Sequence, residues 1–60
     1  MKPEWVIYKN NMRMGQAVTW HRALDVLVKQ EGIKSFRVEV FQERVFVVSN
    51  NESYKLVKER

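Results

Sequence analysis

Sixty residues with no cysteine, one histidine and a formal charge of +4 leave room for one small domain, residues 1–60. They exclude a disulfide, a thiolate metal site and a thiol nucleophile. A chain this short buries only about 60% of the surface its unfolded form exposes, so any partner or second copy that covers apolar surface adds materially to its stability.

The first strand is expected at Trp5-Val6-Ile7-Tyr8, aromatic and β-branched, with Pro3 at its outer boundary where a missing N–H costs little. This apolar run is too short for a signal-peptide core or a membrane span. Together with the lack of cysteine, that sets the expectation of a cytoplasmic protein without a membrane role. Asn10-Asn11 is a turn signal. The stretch from Asn11 to Gly15 reads as a loop because Gly15 weakens a strand; an extra strand within 11–18, with Met12 and Met14 on one face, is the alternative.

The helix is the clearest element. Ala17, Trp20, Ala23, Leu24, Leu27 and Val28 recur at three- and four-residue spacing and form one apolar stripe. Thr19 suits an N-cap for a helix starting at Trp20; a start near Gln16 is the alternative. Gly32 is placed to end it in the left-handed conformation, with Lys29 near the negative end of the dipole.

After Gly32 the period switches from 3.6 to 2. Phe36, Val38 and Val40 alternate with Arg37, Glu39 and Phe41, and Gln42-Glu43 is a two-residue turn that pairs Val40 with Val45 and Val38 with Val47. Asn50-Asn51 begins the next turn, centred there or on Asn51-Glu52, and either choice returns Tyr54 and Leu56 to the same face. The fold class expected is α+β, one helix on a three- to four-stranded antiparallel sheet in the order β-α-β-β-β. The core is then Phe36, Val38, Val40, Val45, Val47, Tyr54 and Leu56 beneath Trp20, Leu24, Leu27 and Val28. Either Val6 and Tyr8 or Trp5 and Ile7 complete it.

One helix hides one side of a sheet. The other side holds Arg37, Glu39, Phe41, Arg44, Phe46, Val48, Lys55 and Val57, half of them apolar, where a solvated face would be polar throughout. Phe41, Phe46, Val48 and Val57 are therefore candidate protein-interface residues, and Trp5 joins them as an anchor near the terminus. Self-association by stacked sheets, or another protein, would cover this face. Alternatively Met12, Met14 and the chain termini fold over it. A nucleic acid is the competing partner, with Phe41 and Phe46 as stacking platforms. Its backbone would meet Arg37, Arg44 and Lys55, joined by Lys9, Arg13 and Arg22 from a stretch, Lys9 to Arg22, that has no acidic side chain. Glu39 works against that reading because it repels phosphate.

Nothing in the chain assembles a catalytic constellation. His21 and Asp25 are four residues apart on the helix, but no nucleophile is brought to them, and the expected state is a surface pair or a partly buried histidine beside Trp20. The carboxylates have no convergent spacing for acid–base work or metal ligation, and neither glycine belongs to a phosphate loop. The expectation is a small non-catalytic binding or regulatory protein acting through a protein interface as a homo-oligomer, with no metal, cofactor or small-molecule substrate. The alternative is a nucleic-acid-binding module.

Overall fold

A computed structural model describes residues 4–59; Pro3 lies outside them. Five strands and one helix follow the order β1 Trp5–Lys9, β2 Met12–Ala17, α1 Trp20–Glu31, β3 Arg37–Val40, β4 Arg44–Ser49 and β5 Glu52–Lys58. The strands form one antiparallel sheet in the spatial order β2-β1-β5-β4-β3. The α+β class with a single helix on an antiparallel sheet is as expected. The strand count is higher, because the segment between residues 11 and 18 that allowed two readings is β2.

Two identical dipeptides make the two tightest hairpins. Asn10 and Asn11 have φ of 52° and 65°, and Asn50 and Asn51 have 48° and 66°. A two-residue loop that matches strand twist needs positive φ at both positions, and asparagine tolerates that region better than other non-glycine residues. The loops bring Lys9 opposite Met12 and Ser49 opposite Glu52. Gly15 does not prevent β2 from forming. The β1–β2 register shifts beside Ile7 and Tyr8, so that Gly15 faces Ile7, Arg13 faces Tyr8 and Met14 is the extra, bulged residue.

The helix begins at Trp20. Thr19 is extended, at φ −125° and ψ 160°, and its side-chain oxygen accepts the Arg22 N–H at 3.2 Å. Gly32 ends it at φ 65°, and the next residue's N–H closes on the Val28 carbonyl at 3.0 Å. That closure aims Ile33 at the core.

Trp5 and Ile7, not Val6 and Tyr8, are the β1 residues beneath the helix. They join Ala23, Leu27, Val45, Val47, Tyr54 and Leu56 in the buried cluster, with Met14, Ala17, Trp20, Leu24, Ile33 and Val38 packed around it. Two expected core residues are corrected: Phe36 is 39% exposed and Val40 is 55% exposed. Both point to the helix side, but the helix lies over β1, β2 and β5. A helix about 10–12 Å across covers two or three strands spaced about 4.8 Å apart, not five. β3 is left at the uncovered margin, anchored where Ser49 Oγ donates to the Ser35 carbonyl at 2.7 Å.

Candidate binding interface

Strand register fixes which side chains share the side of the sheet away from the helix. One cross-strand row runs Gln16, Val6, Val57, Arg44, and ends at Phe41, whose N–H donates to the Arg44 carbonyl at 2.7 Å. The second runs Arg13, Tyr8, Lys55, Phe46, Glu39, and the third Ser53, Val48, Arg37. Phe41, Phe46, Val48 and Val57 thus come together on one face. Trp5 does not join them: it is 7% exposed on the helix side, because its parity matches Ile7, and it is removed from the candidate interface.

The face is apolar at its centre and charged around it. Phe41 and Phe46 meet edge to face, with ring centroids 5.6 Å apart and planes at 77°. Phe41 is 55% exposed and Val48 46% exposed, while Phe46 and Val57 are half-buried. Val6, between Gln16 and Val57, is buried here. Shallow open depressions flank Phe46, one against Tyr8 and Lys55, another against Arg37, Glu39 and Val48. Met12 and Met14 do not fold over this face. Met14 packs under the helix, and Met12, opposite Lys9, is exposed on the helix side. Residues 1–3 and 60, which hold the termini expected to cover the face in that alternative, lie outside the described residues.

Tyr8 and Glu59 also belong to this face and were not singled out in the sequence. The Tyr8 hydroxyl donates to Glu59 Oε2 at 2.7 Å, and the Lys55 ammonium sits 5.9 Å from the Tyr8 ring centroid. The bond to the Glu59 carboxylate raises the Tyr8 phenol above its ordinary value of 10.0. The signal available for Tyr8 was parity: once Leu56 and Ile7 pair inward, Lys55 and Tyr8 must pair outward.

The six basic candidates divide. Arg13, Arg37, Arg44 and Lys55 share the uncovered face; Arg13 also donates to Gln16. Lys9 is on the opposite side, 3.1 Å from Glu31 Oε1 and stacked over Tyr54. Glu31 accepts the Tyr54 hydroxyl as well, at 3.2 Å, so the carboxylate that opposes the helix dipole ties the helix end to two strands. The Glu31 contact raises the Lys9 ammonium, and burial raises the Tyr54 phenol. Arg22 is exposed on the helix. The acid-free stretch from Lys9 to Arg22 is therefore not one patch.

His21 stacks on Trp20, ring centroids 3.8 Å apart, and Asp25 pairs with Lys29 at 3.4 Å rather than with His21. Among the described residues no three His, Cys, Asp or Glu side chains converge as metal ligands, and no helix is long and apolar enough to cross a membrane. Among the described residues, the class defined by the structure is a five-stranded antiparallel α+β unit whose helix covers one face of the sheet. No protein-family model, curated protein or solved structure matches the chain.

Proposed function

We propose that the chain is a small, non-catalytic, cytoplasmic binding protein that self-associates, and that its contact surface is the uncovered sheet face. The observation that carries this is the edge-to-face pair of exposed Phe41 and half-buried Phe46, continuous with Val48 and Val57 and ringed by Arg37, Arg44, Lys55 and Glu39. An apolar centre with a charged rim is the anatomy of a protein interface, where a few buried aromatics supply most of the affinity. Stacking two such faces at about 10 Å closes a second apolar layer for a chain whose helix supplies only one. The chain would act by occupying a surface, its own or that of a regulatory target.

Sedimentation equilibrium tests this. Phe46→Glu places a carboxylate at the centre of the face and is expected to lower the mass of the assembly; Phe41→Ser, at a more exposed position, should do so with less effect on folding. An assembly mass unchanged in both folded variants refutes the face as the self-contact.

A second reading, nucleic-acid binding, is favoured by one arrangement: Arg13, Arg37, Arg44 and Lys55 share the face with Tyr8, Phe41 and Phe46. It requires binding of a labelled single strand that weakens steeply with salt and on Arg44→Ala. Absence of binding at low salt eliminates it.

A further inference from the structure

Among the described residues the sheet has two free edges, and they are not alike. β2 carries the bulge at Met14, a distortion that discourages further pairing. β3 has no bulge and no proline, and at this edge Phe36 and Val40 expose apolar side chains that the helix does not reach. The bond from the Phe41 N–H to the Arg44 carbonyl sets the alternation along the β3–β4 ladder. Arg37 and Glu39 then turn their backbone groups toward β4, and Val38 and Val40 turn theirs outward.

We propose that β3 is a homotypic edge: a second copy of this chain adds its own β3 antiparallel, about a two-fold axis at Val38, to give one continuous ten-stranded sheet. In this register Val38 faces Val38 of the second copy as a hydrogen-bonded pair. Arg37 faces Glu39, twice, as the close non-hydrogen-bonded pairs on the uncovered face. Phe36 faces Val40, also twice, on the helix side. Charge singles out this alignment. Of the registers that keep each side chain on its own face, the one centred on Glu39 sets Glu39 against Glu39, and the one centred on Arg37 sets Arg37 against Arg37. Only the Val38 axis pairs opposite charges and covers both exposed apolar residues.

The contact deepens the self-association reading above but uses different atoms, so the two stand or fall separately. Edge pairing extends the naked face across both copies, and two such dimers stacked face to face give a closed four-chain assembly with dihedral symmetry. A four- or five-residue strand pairing buries less than a standard interface, so it forms at high protein concentration.

The test is made in the Phe46→Glu background, where face stacking is removed, with folding followed by circular dichroism. That chain should sediment as a dimer at high concentration. Adding Arg37→Glu sets two carboxylates against each other in both cross-edge pairs and should give a monomer. Adding Glu39→Arg instead sets two guanidinium groups against each other and should do the same. In an equimolar mixture of the two monomers, the register centred on Val38 sets the new glutamate of one chain against the new arginine of its partner and leaves the native Glu39 of the first facing the native Arg37 of the second. Both opposite-charge pairs are thus restored, and the mixture should return to dimer mass. Val40→Pro, which deletes an outward N–H and leaves the β4 ladder intact, should also give a monomer. A Phe46→Glu chain that is monomeric at every concentration overturns the edge while leaving face stacking in place. Charge variants that remain dimeric alone, or a mixture that remains monomeric, overturn it equally.

Discussion

Val47 and Val48 are neighbours on β4 with opposite fates, which turns the two-sided sheet into a quantitative prediction. Val47 is fully buried in the core on the helix side of the sheet and Val48 is 46% exposed on the other side. Val47→Ala removes two buried carbons, worth about 1.6 kcal/mol at about 0.8 kcal/mol each, and leaves a cavity that adds up to about 1 kcal/mol. The expected loss is about 2–3 kcal/mol. A 60-residue chain has about 3–9 kcal/mol in all, at about 0.05–0.15 kcal/mol per residue, so this is a large fraction. Val48→Ala loses about half the transfer free energy and leaves no enclosed cavity, so its cost stays below about 0.8 kcal/mol. With a urea slope of about 1 kcal/mol/M, the midpoint should fall by about 2–3 M for Val47→Ala and by less than about 0.8 M for Val48→Ala. The measurement is made in dilute solution, where association contributes little. Equal shifts, or a larger shift at Val48, would refute the assignment of faces.

Other outcomes follow from the caps and the phenols. Thr19→Ala should cost about 1 kcal/mol by freeing the Arg22 N–H, and Gly32→Ala about 1 kcal/mol or more through its φ of 65°, both read by chemical denaturation. Tyr8, Tyr54 and Lys9 are all raised in the folded chain, from 10.0, 10.0 and 10.5. A raised group contributes stability that is complete below its unfolded value and is lost as pH climbs through the folded one, so stability should hold from neutral pH to about pH 10 and decline above it. Tyrosinate absorbance should develop at higher pH in the native chain than in denaturant, and Glu59→Gln should bring Tyr8 back toward 10.0; coincident native and denatured titrations would contradict this.

The helix and the β3–β4–β5 meander were legible because local signals agreed with the global pattern. Thr19 and Gly32 bracket one apolar stripe, and the parity of Val38, Val45, Val47, Tyr54 and Leu56 is the same across two turns. β2 was harder to see because Gly15 and the bulged Met14 break its alternation. Asn10-Asn11 carried the missing information: it is the same dipeptide, in the same positive-φ geometry, as the Asn50-Asn51 turn between β4 and β5. Phe36 and Val40 are expected in the core on parity, which gives the face but not the width of the helix that covers it. The shared face of Phe46, Val48 and Val57, the candidate interface residues on β4 and β5, followed from parity alone. Trp5 and the Lys9–Arg22 stretch did not, because closeness in sequence places residues on opposite sides of a sheet as readily as on one.

The chain has no cysteine, so a single introduced thiol reports cleanly on one position. The most direct test compares the alkylation rates of Val48→Cys and Val47→Cys across a range of protein concentrations. Val47→Cys should be protected throughout, and Val48→Cys should react rapidly when dilute and progressively more slowly as copies cover the face. Rapid modification at position 47 would place the wrong side beneath the helix, and a Val48→Cys rate independent of concentration would show that no second copy covers it.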